Sequence, residues 1–137
     1  MLLEHFKNFA EDKGITYSFI NSEMIHFKKN NLDYIFQVDD RDKPYFRIIL
    51  PNLLEVTDNN RNQIRNYIAE VNVEFKVGKI VEVDNSLWIT AEMFVYSHLG
   101  IDSLFERLIE MLNEFHKRLK IDFQNNKLLN DEQIQDQ

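Results

Sequence analysis

The sequence contains no cysteine. That excludes disulfide cross-links, thiol nucleophiles and cysteine-ligated metals, and it agrees with a reducing compartment. Glycine and proline are almost as scarce, at three and two residues. With so little glycine there is no loop whose backbone could close around a phosphate, and no Gly-flanked serine of the nucleophile-elbow kind. Long apolar runs are missing as well: no segment approaches the ~20 consecutive apolar residues of a membrane span. The first residues, "MLLEHFKNFAEDKG", lack the basic start and unbroken apolar stretch of a secretory leader. A cytoplasmic setting is the expectation. No Lys/Arg cluster is free of neighbouring acids, and 23 acidic against 16 basic residues leave a net charge of −7. Such a field repels phosphate backbones and anionic lipids, so neither nucleic acid nor a membrane is an expected partner.

What is present is apolar and unusually aromatic. Hydrophobic residues make up 44% of the 137 positions, with eleven Phe, five Tyr and one Trp. A chain of this length can bury a single core without metals or cross-links. The expected organisation is one domain over residues 1–120, followed by a tail or short extra helix over 121–137.

Periodicity places the elements. Leu2, Leu3, Phe6, Phe9 and Ala10 recur at helical spacing, and Gly14 stands where a left-handed C-cap is wanted, which predicts a helix over 2–13. Four β-rich runs follow, "ITYSFI", "MIHFKK", "LDYIFQV" and "PYFRIIL", separated by polar turns, and these read as an antiparallel meander. Alternation assigns Ile25, Phe27, Leu32, Tyr34, Phe36, Val38, Phe46, Ile48 and Leu50 to the core face and Asp33, Gln37 and Arg47 to water. Pro51 cannot donate to a ladder, so the fourth run is expected to end there. Ile64, Tyr67, Ile68 and Val71 mark a narrow-faced second helix, with Asp58 or Asn59 as its N-cap.

The last helix is marked by Ile101, Leu104, Phe105, Leu108, Leu112, Phe115 and Leu119. Ser103 and Glu106 are spaced as a capping box at its start.

Between the last two helices lies "KIVEVDNSLWITAEMFVY", a hairpin that is apolar on both faces. An odd loop, Asp84-Asn85-Ser86, is expected, because a two-residue loop sets Glu82 opposite Leu87 and brings a carboxylate toward the core. The odd loop sends Val81, Val83, Leu87, Ile89 and Ala91 inward and leaves Ile80, Trp88, Thr90, Phe94 and Tyr96 outward. Trp and Tyr suit surfaces that are covered on association.

The chemistry-bearing residues do not assemble into a motif. His5, His26, His98 and His116 share no ligand spacing, so no metal is expected. The run Asp39 to Asp42 lacks the glycine and distal glutamate of a calcium loop and reads as a solvated turn. Glu74 and Glu82 read as part of an acidic surface. No catalytic residue and no cofactor are expected.

The element order, with "YFRIILPNL" closing the meander, "IAEVNVEFKVGKIVEVDNSLWITAEMFVY" covering the second helix and hairpin, and "LFERLIEMLNEFH" at the end, resembles the YbjN-like proteins and the related Tir-chaperone-like fold of type III secretion chaperones. The resemblance covers residues 1–119 and rests on order and texture. It implies a small acidic α+β protein, often a homodimer, which in the secretion branch holds an unfolded client segment. Carried to this sequence, it implies partner binding at Trp88, Phe94 and Tyr96, and self-association through Tyr67 and Val71 of the second helix.

The expected fold is therefore α+β, one antiparallel sheet of five to six strands with helices on one face. The expected function is a non-enzymatic, chaperone-like protein-binding module that pairs with itself and takes an unfolded protein segment on Ile80, Trp88, Phe94 and Tyr96. Two other readings fit the same composition: a toxin-neutralising immunity protein, and an enzyme whose groups converge only in three dimensions.

Overall fold

The structure is a computed structural model, and it describes residues 1–126. Helix α1 (Leu2–Lys13) buries Leu2, Phe6, Phe9 and Ala10 and stops at Gly14, whose φ of 68° is the left-handed cap. Strands β1 (Tyr17–Asn21), β2 (Met24–Lys29), β3 (Leu32–Asp39) and β4 (Asp42–Glu55) follow, then α2 (Arg61–Glu74), β5 (Gly78–Val83), β6 (Ser86–Phe94) and α3 (Ile101–Asn126). All six strands form one antiparallel sheet in the order β1-β2-β3-β4-β6-β5. Two hairpins turn on Asn30-Asn31 and Asp84-Asn85, all four with positive φ. That is the type I′ geometry whose twist matches its strands, and Asn and Asp adopt it at low cost.

Helices α1 and α3 lie on one face of the sheet, around a knot of phenyl rings. Phe6 stacks on Phe36 at 4.2 Å between centroids and meets Phe27 at 4.9 Å and Phe105 at 5.2 Å. Phe105 also meets Phe9, Phe36 and Phe46 edge-on, at 5.4–5.6 Å. The inward set of the meander, Ile25, Phe27, Leu32, Tyr34, Phe36, Phe46, Ile48 and Leu50, is wholly buried. At the other end of the sheet Gly78 is what lets α3 approach β5. A Cβ there would come within 3.2 Å of the Phe115 ring and 3.3 Å of Met111, and Phe115 is itself pinned by stacking on Phe75 at 3.7 Å.

One buried group fits the core poorly. The Tyr34 hydroxyl is enclosed with no hydrogen-bond partner among the described residues. Burial holds its pKa well above the ordinary value of 10.0. The neutral phenol is thus favoured in the folded state, so its effect is constant below pH 10. Stability falls as pH rises beyond that value, where the unfolded chain releases the proton and the folded chain does not. Tyr34→Phe removes both effects. Denaturant unfolding should show the variant more stable by about 1 kcal/mol near neutrality, with a shallower decline toward about pH 11.

Several boundaries differ from the sequence expectation, each for a local reason. Strand β4 runs on past Pro51 to Glu55, because a register break between Leu50 and Leu54 forms a bulge there. The ring sits in that bulge, and Asn52 takes a φ of 54°. The N-cap of α2 is Asn60, and its side chain is spent on the preceding loop: Oδ1 accepts from the Thr57 amide and Nδ2 donates to the Glu55 carbonyl. Helix α3 begins at Ile101, directly after Gly100 (φ 73°), which puts Ser103 inside the helix, where it cannot cap. The same helix continues to Asn126 with Phe123 buried against Tyr67, so residues 121–126 belong to the domain. The rest of the expected tail, 127–137, lies outside the described residues.

The hairpin is the larger correction. Val83 pairs with Ser86 across the two-residue turn Asp84-Asn85, so Glu82 does stand opposite Leu87. Ile80, Leu87, Ile89 and Ala91 then share the core face, while Val81 and Val83 point the other way with Trp88. The carboxylate is tolerated because it sits at the end of the strand, where Arg65 of α2 reaches Glu82 with two bonds at 3.0 and 3.3 Å and Arg61 lies at 3.9 Å. The Arg65 contact holds Glu82 below its ordinary pKa.

Candidate functional site: the open face of the sheet

The two edges of the sheet are treated differently. At the β5 edge, the Ile80 amide donates to Asn72 Oδ1 at 2.8 Å, and Asn72 Nδ2 donates to the Ile80 carbonyl at 2.9 Å. One side-chain amide of α2 thus stands in for a neighbouring strand. Lys79 Nζ holds the same helix end, donating to the carbonyls of Asn72 and Phe75. At the other edge, β1 carries no charged residue and leaves Phe19 and Ile20 half exposed.

Opposite the helices, the face of the sheet is composed by alternation. Across β2, β3, β4 and β6 it presents His26, Ile35, Ile49 and Thr90 in one row. The next row holds Met24, Gln37, Arg47 and Glu92, and beyond it Tyr45 stands beside Phe94. The centre is tight, with Ile49 only 1% exposed among its neighbours, and exposure rises toward the end of β6, where Phe94 reaches 57% and Tyr96 84%. Rings run along that end: Tyr45 to Phe94 at 5.8 Å and Phe94 to Tyr96 at 6.5 Å.

The polar groups there are only partly engaged. Arg47 Nε donates to Gln37 Oε1 at 2.6 Å, and among the described residues Arg47 makes no ion pair. Glu92, directly across the strand from Arg47, instead accepts the Tyr45 hydroxyl at 2.5 Å. Burial, and then that bond, push the Tyr45 phenol up to about 12. Beside them lies a hollow of about 480 Å³ whose walls include Gln37, Tyr45, Arg47 and Phe94. Farther along, His26 Nε2 lies 2.9 Å from Asp33 Oδ1. Among the described residues, no group of three or more His, Cys, Asp or Glu is placed to hold a metal ion. Among the described residues, no helix is long and apolar enough to cross a membrane.

The expected site residues divide. Trp88 is on the open face and partly buried, its indole Nε1 enclosed without a partner among the described residues. Phe94 and Tyr96 are exposed at the end of the same strand. Trp88 and Phe94 are six residues apart, about 20 Å along a strand, so they do not form one cluster. Ile80 is 1% exposed and belongs to the core. Tyr67 and Val71 are also spent inside the subunit: the Tyr67 ring packs on Phe123, and its hydroxyl donates to Asp122 at 2.6 Å. Tyr67 is 7% and Val71 2% exposed. Sequence reasoning passed over Tyr45, Ile35 and Ile49. The available signal was their place at outward positions of a meander whose inward positions were already apolar.

Among the described residues, a single six-stranded antiparallel sheet with three helices, in the order α-β-β-β-β-α-β-β-α, defines an α+β protein of the YbjN-like fold. A solved structure that it matches is YbjN from E. coli, described as "a putative transcription regulator". The TM-score is 0.66 at 12% sequence identity, covering 91% of this chain and 93% of that one. No protein-family model and no curated protein matches the sequence. At that identity the likeness is one of fold.

Proposed function

We propose that the protein is a non-enzymatic, chaperone-like binding module whose open sheet face receives another polypeptide and which works as a homodimer. The observation that supports this is the sheet itself: six strands carry helices on one side, while the other side offers Ile35, Tyr45, Trp88, Phe94 and Tyr96 amid scattered charges. A run of rings such as Tyr45, Phe94 and Tyr96, open at its outer end, is uncommon on proteins that act alone. Tyr and Trp gain more from being covered than most side chains. A role in transcription, taken over from YbjN, would run through protein contacts, since a net charge of −7 opposes direct binding to a phosphate backbone.

The test uses a reduced, unfolded reporter polypeptide whose aggregation is followed by light scattering. The native protein should suppress scattering at near-equal molar ratio. Phe94→Ser/Tyr96→Ser, which alters exposed side chains and should retain the native circular dichroism, should lose most of that effect. Equal suppression by both proteins would overturn the assignment of the face.

A further inference from the structure

The cross-strand register on the open face is self-complementary. Three β4–β6 partner pairs point to that side: Tyr45 with Phe94, Arg47 with Glu92, and Ile49 with Thr90. Consider a second copy laid face to face on the first, related by a two-fold axis that runs parallel to the strands midway between β4 and β6. The rotation exchanges the two strands, so each residue of β4 meets the partner's equivalent of its own β6 neighbour. Arg47 then faces the partner's Glu92, and Glu92 faces the partner's Arg47. Tyr45 meets the partner's Phe94 and the reverse, whereas Ile49 and Thr90, at 1% and 8% exposure, are already covered within the subunit. A two-fold axis across the strands would instead lay β4 on β4 and β6 on β6, and Arg47 would never meet Glu92.

We infer that the partner at this end of the face is a second copy of the chain, docked sheet to sheet about that axis. The inference rests on the docking role proposed above and names its occupant. Four features favour this occupant. Arg47 lacks a carboxylate within the subunit although Glu92 is its direct neighbour. Glu92 is exposed and accepts only the Tyr45 hydroxyl among the described residues. Phe94 projects with 57% of its surface open beside Tyr45, over which the partner's Phe94 arrives. Two twisted sheets stacked this way keep their strands within about 30° of each other at ~10 Å separation, a common sandwich arrangement. An isologous contact also requires each patch to match itself, which alternating opposite charge and paired rings provide.

The test is charge reversal with cross-rescue, read by sedimentation at matched concentrations. The native chain should be a dimer. Arg47→Glu sets a carboxylate against the partner's Glu92, and Glu92→Arg sets a cation against the partner's Arg47, once at each of the two symmetric contacts. Each variant alone should raise the dimer dissociation constant by at least about 100-fold, since like charges brought together at an interface are strongly unfavourable. Mixed in equal amounts, the two variants should form a heterodimer, because each contact then joins opposite charges. Recovery in the mixture also shows that both variants are folded. Phe94→Ser provides a neutral probe and should weaken the dimer without altering its helix content. A native chain that stays monomeric, single reversals that leave the dimer intact, or a mixture that fails to pair would each overturn the inference. The reporter assay separates the two readings. A monomer that still suppresses scattering defeats the pairing alone, and a charge-sensitive dimer that suppresses nothing supports the pairing while the client role fails.

Discussion

Phe105→Ala should lower the stability of the folded chain by about 4 kcal/mol. The side chain is wholly buried and joins α3 to α1 and to the sheet, touching Phe6, Phe9, Phe36 and Phe46 at once. Truncation removes the transfer energy of the ring and leaves a cavity. The surrounding phenyl groups cannot fill it, since each is held by others: Phe6 is stacked on Phe36, and Phe36 on Phe46. Domains are stable by only about 5–15 kcal/mol in total, so the variant should unfold at a far lower denaturant midpoint. Its melting temperature should fall by something on the order of 15 °C. Phe105→Leu keeps most of the volume and should cost about 1.5 kcal/mol. Equal midpoints for the alanine and leucine variants would show that α3 is held elsewhere.

Asn72→Ala acts on a smaller area with a broader consequence. Its amide supplies both a donor and an acceptor to Ile80 at the edge of the sheet. Each such bond is worth about 1 kcal/mol net, so the loss should be close to 2 kcal/mol. Hydrogen exchange at the Ile80 amide should accelerate accordingly. The substitution also uncovers a free strand edge, which invites pairing with another chain, so light scattering should rise with protein concentration more steeply than in the native protein. An Ile80 amide that remains as protected as before would show that α2 does not seal this edge.

The meander and the flanking helices follow from local pattern. The polar His26, Asp33, Gln37 and Arg47 between Phe27, Tyr34, Phe36, Phe46 and Ile48 fix which side chains turn inward, because successive side chains of a strand point to opposite faces. The 3.6-residue spacing of Phe105, Leu108, Leu112, Phe115 and Leu119 does the same for α3. The hairpin from Gly78 to Phe94 was misread because the penalty assigned to an inward Glu82 ignored what lay across from it. The arginines that neutralise it, Arg61 and Arg65, precede it by 21 and 17 positions. Nothing in the neighbouring residues announces them. The positive φ of Asp84 and Asn85, which makes the short turn favourable, is a conformational choice that an Asp-Asn pair permits without requiring.

The candidate surface was legible only in part. Trp88, Phe94 and Tyr96 stood out as apolar residues left over on a strand already buried on its other side, and they do lie on the open face or at its end. The pairing of Tyr45 with Phe94 and of Arg47 with Glu92 was not legible, since β4 and β6 are joined through α2 and β5 and no turn fixes their register.

By itself the sequence determined an α+β chain with a phenyl-rich core, acidic and free of thiols, because composition and periodicity act over a few neighbouring residues. Tertiary structure alone decided which face of the last hairpin is covered, how α2 closes one edge, and which charges stand side by side on the open face. Those outcomes depend on contacts between residues tens of positions apart, whose energies appear only once the chain has brought them together.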